Sequence, residues 1–129
     1  MRRPLETSLS PQDVLRALRG DACPFLLVGD WAGGGAIAGS EPQADGPREG
    51  VVVGPDGSVG GGWFGWLAYG FGARIERLEP PPPRPVPLPL WHARFYDHVL
   101  RMTPDGTWWF EALETEERRA ALDARLADL

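Results

Sequence analysis

Gly60-Gly61-Gly62-Trp63-Phe64-Gly65-Trp66-Leu67-Ala68-Tyr69-Gly70 decides how the middle of this 129-residue chain folds. Glycine-dense segments are usually loose and polar, but this one alternates with large aromatic rings. That mixture calls for backbone packed closely against a flat apolar surface. Trp63, Leu67, Phe71 and Ile75 recur every four residues, which predicts a helix over 63–78. Gly65, Gly70 and Gly72 oppose it, at about 1 kcal/mol each against alanine. On the helical reading the glycines mark a face pressed onto a sheet or another helix.

Outward from this stretch, Ser10-Pro11-Gln12-Asp13 is a helix start, with Ser10 as N-cap, Pro11 in the first turn and Asp13 at the positive end. Val14, Leu15 and Leu18 give the helix its apolar face, and Gly20 ends it. Pro24 to Gly29 reads as a buried strand, Ala36-Ile37-Ala38 as a short one, and Val51-Val52-Val53 as a third, turned by Gly54-Pro55-Asp56-Gly57. Residues 41–49 read as a loop. Residues 80–89, PPPPRPVPLP, predict extended polyproline II. His92 to Met102 and Thr107 to Leu113 predict a β-hairpin turned by Thr103-Pro104-Asp105-Gly106. Thr115 caps a last predicted helix, with Glu116 and Glu117 in its first turn and Leu122, Leu126 and Leu129 on one face. Without βαβ alternation this order predicts an α+β class: a mainly antiparallel sheet with flanking helices, in one domain over 1–129. The helix still in phase at Leu129 suggests that the natural protein, or its ancestor, continued.

Composition excludes several functions. The net charge is −5 and all thirteen basic residues are arginines, scattered without the basic stripe that nucleic acid requires. No apolar run nears a membrane span. The N-terminus lacks the apolar core of a secretory signal, so a cytoplasmic location is expected. The single Cys23 excludes an internal disulfide and any multi-thiolate metal site, and reads as a small buried or half-buried hydrophobe.

Gly33 to Ala38 and Gly60 to Gly65 match the short glycine patterns of dinucleotide-binding turns. The first is followed by Pro42 and a polar loop, the second by polyproline, so neither has the required context. Asp97-His98 is a tempting acid–base pair, but neighbours on a strand point to opposite faces, which leaves His98 a structural hydrogen-bonder. By the same rule Trp108 and Trp109 face opposite ways, one buried and the other covered by a neighbour or exposed. No metal-ligand spacing or nucleophile–base–orienter set is legible, so no catalytic residue and no metal site is expected. The proline run fits the pattern of polyproline ligands for SH3-type grooves, which would make 77–89 a protein-interaction segment. A stiff connector between folded neighbours accounts for it better.

Taken in order, PFLLVGDWAGGGAIAGSEP (24–42), GGGWFGWLAYGFGARIERL (60–78), PPPPRPVPLP (80–89) and FYDHVL (95–100) resemble the N-terminal region of component I of aminodeoxychorismate synthase. The sister enzyme is anthranilate synthase component I. The resemblance covers nearly the whole chain and implies a layered α/β/β/α fold with orthogonally packed sheets. It implies a function too: chorismate amination with ammonia from a glutamine amidotransferase subunit, toward 4-aminobenzoate and folate or, in the sister enzyme, anthranilate. The chorismate and Mg²⁺ sites of that family lie in a C-terminal chorismate-binding domain, so no cofactor is expected in residues 1–129. The expected role is structural and assembling, with a chorismate-binding domain or polypeptide as partner and self-association as a hazard of bare apolar faces.

Many family members hold tryptophan in a pocket built on a Leu-Leu-Glu-Ser motif. The matching positions are Leu26, Leu27, Val28 and Gly29. The polar pair that would hold the amino acid's charged end is missing, which counts against feedback binding of tryptophan. Ser40, in Gly39-Ser40-Glu41-Pro42, matches the flanking segment. Leu26, Leu27, Val28 and Ser40 are therefore the candidate binding residues, and an aromatic amino-acid sensor around Leu27 and Ser40 is a further alternative.

Overall fold

The β-branched and aromatic runs place most of the regular secondary structure in antiparallel sheet. The computed structural model of the chain describes residues 1–43, 58–76, 82, 85–86, 88–113 and 115–128. Its elements are β1 (Arg2–Pro4), α1 (Pro11–Ala17), β2 (Phe25–Trp31), β3 (Gly34–Gly39), β4 (Gly62–Leu67), β5 (Trp91–Tyr96), β6 (His98–Met102), β7 (Trp108–Ala112) and α2 (Arg119–Ala127). Five strands form one sheet in the order β1-β7-β6-β3-β2, and β4 pairs with β5 in a second. All pairings are antiparallel. The fold is α+β, dominated by antiparallel sheet.

Alternation assigns the two faces of the large sheet. Ala36, Ala38, Leu100, Trp108, Phe110 and Ala112 point to one side and form the core with Val14 on α1, Leu18 just after it and Leu122 on α2. Burying Trp108, Phe110 and Leu122 contributes about 1.5–3 kcal/mol each. Ser10 caps α1 as its sequence predicts, accepting from the Asp13 amide at 3.3 Å. The hairpin β6–β7 is tied by the predicted Thr103–Gly106 turn, with the Gly106 amide donating to the Thr103 carbonyl at 2.9 Å. Trp108 is buried, and Trp109, facing the other way, is covered by the Arg2 guanidinium 4.1 Å above its ring.

Several expectations are corrected. Residues 62–67 are strand, followed by a 3-10 turn at Tyr69–Arg74, not a helix over 63–78. Gly65 explains the preference: a Cβ there would collide with the His92 carbonyl across the strand pair, so the close approach is made in sheet. The predicted strand 92–102 is broken at Asp97, where the chain leaves the small sheet and enters the large one. The last helix begins at Arg119 without a side-chain cap. Thr115 offers its carbonyl to the amides of Arg118 and Arg119 instead. Cys23 is exposed, with a positive φ of 48°, so it is not a buried hydrophobe. β1, an arginine-rich edge strand, was not anticipated.

The predicted strand at Val51-Val52-Val53, its turn, most of 77–89 and Leu129 lie outside the described residues. In the proline segment Pro82, Val86 and Leu88 are exposed. No helix among the described residues is long and apolar enough to cross a membrane.

Candidate functional site

Among the described residues the small sheet holds three of the four exposed tryptophans, Trp63, Trp66 and Trp91. Its register sets Trp63 opposite Phe95, Gly65 opposite Ala93 and Leu67 opposite Trp91. These residues share one face. Trp63 is 55% exposed, Leu67 69% and Trp91 56%. Gly65 and Ala93 form a trough of small residues between the bulky ends. A single exposed Leu is ordinary, but three large apolar side chains on one strand pair form a patch of the kind that marks an interaction surface.

The other face of β4–β5 looks toward β2. Phe64 stacks on Phe25 with ring centroids 4.5 Å apart, and Tyr96 meets Phe25 edge-on at 4.8 Å. The Tyr96 hydroxyl donates to the Cys23 carbonyl at 2.8 Å. Burial, with the Cys23 side chain, holds the phenol above its ordinary pKa, and Arg94 offsets this in part. The packed corner borders an opening between the two sheets. It is a cleft of about 420 Å³ lined by Phe25, Leu27, Phe64, Trp66, His92 and Arg94, among others.

Three polar clusters fix the frame around these faces. Glu111, fully buried, accepts from the Val59 amide at 2.7 Å and from the Gly60 amide and Arg101 at 3.3 Å each, with Arg2 also at 3.3 Å. It thereby holds the entry to β4, where Gly60 has a φ of 69° and a Cβ would press on Leu113. Asp97 is held by His98 and Arg118, each at 2.8 Å. Asp21 is bound by Arg125 and by the Ser40 hydroxyl at 2.7 Å. Arg118 and Arg125 are seven residues apart, two helical turns, so both latches lie on one side of α2.

These clusters relocate the expected binding residues. Leu26 and Leu27 point to opposite faces of the large sheet. Leu26 packs against the core below the helices, and Leu27 lines the cleft. Val28 is exposed near the end of β2 pairing. Ser40 is buried on the helix side, between Asp21 and Arg125. The four do not form one pocket. The pairing of Asp97 with His98, excluded by the rule of alternation, does occur, because Asp97 sits at the bend and not within a strand. His98 is buried against Phe110, 5.5 Å away, and Arg118 takes the second Asp97 oxygen. This arrangement ties structure together and does not present a base to a substrate.

Sequence reading did not place Arg94 and His92 at a site. The alternation His92-x-Arg94-x-Tyr96 carried the signal, since it sets all three side chains on one strand face. Neither glycine run sits in a strand–turn–helix: Gly34–Gly39 is itself a strand and Gly60–Gly62 leads into one. Among the described residues, no group of three His, Cys, Asp or Glu is placed to hold a metal ion. Comparison with protein families, with characterised proteins and with solved structures finds no match to this chain.

Proposed function

We propose that this chain is the N-terminal assembly domain of an aminodeoxychorismate-synthase-like component I. It acts by docking on a chorismate-binding domain or polypeptide and completing its sheet layers in an α/β/β/α arrangement. In this reading the chain is not catalytic alone. Chorismate and Mg²⁺ are held by the partner, ammonia comes from a glutamine amidotransferase subunit, and the product leads toward 4-aminobenzoate and folate.

One observation carries the reading: the outward face of β4–β5, where Trp63, Leu67 and Trp91 stand exposed around the Gly65–Ala93 trough. This face belongs to the glycine–tryptophan segment on which the family resemblance rests. A sheet with apolar residues on both faces needs cover on both, and Trp63, Leu67 and Trp91 remain more than half exposed among the described residues. The helix-side core supports a structural role as well, since its polar residues are spent on latching α2 and not on a substrate.

The test is ammonia-dependent chorismate amination, assayed with the chain alone, with a chorismate-binding polypeptide alone, and with both. Activity that needs both supports the division of labour. Amination by the chain alone refutes it.

A further inference from the structure

We propose that the cleft between the two sheets is a binding site for a planar aromatic carboxylate, held by Arg94 and stacked against Trp66 and His92.

The walls set the shape of the ligand. Phe25 and Phe64, stacked with centroids 4.5 Å apart, close one end of the cleft, and Leu27 of β2 and Trp66 of β4 line it further along. Trp66 and His92 are cross-strand partners whose rings lie 6.3 Å apart and only 31° from parallel. Both line the cleft and offer aromatic surface on which a planar ring gains contact. A volume of about 420 Å³ falls within the range of small-molecule sites and admits one or two fused rings.

The charge sets its chemistry. Arg94 lies between His92 and Tyr96 on the cleft face of β5, and opposite Phe64 on β4. Among the described residues it forms no ion pair, unlike Arg2, Arg101, Arg118 and Arg125, each of which holds a carboxylate. Among the described residues no Asp or Glu lines the cleft. A carboxylate entering with its ring on Trp66 meets a guanidinium suited to bidentate hydrogen bonding. An ammonium group would lose water without gaining an anionic partner. The site therefore selects acids over amines and over zwitterionic amino acids, a different preference from the amino-acid sensor weighed on sequence grounds. It is built from Arg94, His92 and Trp66, and of the residues matched to the tryptophan pocket only Leu27 touches it.

The inference stands apart from the docking role, which uses the opposite face of the small sheet, so the chain is tested without a partner. The ¹⁵N-labelled protein is titrated at pH 7 with 1-naphthoate, its neutral isostere 1-naphthamide, and 1-naphthylmethylamine. The expected result is saturable shifts at the amides of residues 64–66 and 92–96 with naphthoate, and at least tenfold weaker binding of the other two. Arg94 is exposed, so Arg94→Gln leaves the fold intact. It is expected to lower naphthoate affinity about tenfold and to leave naphthamide affinity unchanged, while Arg94→Lys restores part of the preference. The proposal is overturned if naphthoate shifts none of these amides, if naphthamide binds as tightly as naphthoate, or if Arg94→Gln binds naphthoate as the parent does.

Discussion

His98 donates from Nδ1 to Oδ1 of Asp97 at 2.8 Å, although the two residues are consecutive in sequence. The contact exists because the chain bends at Asp97 to pass from one sheet to the other. The carboxylate is thus both the hinge between sheets and, through Arg118, the anchor of α2.

Acid stability follows from this anchor. Burial disfavours the Asp97 charge, but the hydrogen bonds and charges of His98 and Arg118 outweigh it and hold the carboxyl below its ordinary pKa. A depressed folded-state pKa adds stability that is fully present above the unfolded value, about 3.9, and is lost as pH falls through the folded one. Asp97→Asn should cost about 2–3 kcal/mol near neutrality, the scale of hydrogen bonds to charged groups. It should also flatten the loss of stability below pH 4. Urea unfolding midpoints measured from pH 7 to pH 2.5 test both effects. A variant as acid-sensitive as the parent would assign the loss to other carboxylates.

Glu111 is the second buried charge, and its removal should act locally. Glu111→Gln keeps the shape but leaves Arg2 and Arg101 with a weaker acceptor in a dry site. Breaking a buried ion pair from one side costs about 3–5 kcal/mol. Thermal unfolding should register the loss, and the amides of Val59 and Gly60 should exchange faster, because both donate to that carboxylate.

Gly65→Ala separates the sheets energetically. The added methyl meets the His92 carbonyl oxygen and the Ala93 Cα, both backbone atoms that cannot step aside. Hydrogen exchange should show lost protection at Trp91–Tyr96, with β3 and β6 keeping theirs. Uniform loss across both sheets would mean that the small sheet is integral to the large one.

Leu122→Ala should destabilise by about 2–5 kcal/mol, because the side chain is fully buried between α2 and the sheet. Arg125→Ala, at a partly exposed latch to Asp21, should cost less. Urea unfolding of the two variants gives the order directly, and a larger loss for Arg125 would place the helix's anchorage in its polar latches.

The legible parts of the fold were those set by local chemistry. Ser10 with Pro11, and Thr103 to Gly106 between two apolar runs, specify a cap and a turn whatever surrounds them. The segment at Trp63 was misread for a physical reason: residues four apart share a face in a strand as well as in a helix. Trp63 and Leu67 fit both periods, and only the close approach of Gly65 to β5, a tertiary fact, decides between them. The contact of Asp97 with His98 was excluded by assuming an unbroken strand. Arg2-Arg3-Pro4 does not read as a strand because an edge tolerates charge and proline. Of the four expected binding residues, Leu27 reaches the cleft. Ser40 is drawn to the helix side by partners at 21 and 125, which no local pattern connects.

The central claim is that the bare face of the small sheet joins this chain to a chorismate-binding polypeptide. Ammonia-dependent chorismate amination should appear only in the mixture. It should fall at least tenfold at fixed concentration when the chain carries Leu67→Ser with Trp91→Ser, exposed sites whose replacement leaves the core intact. Full activity of the mixture with that double variant, or amination by this chain without a partner, would contradict the account.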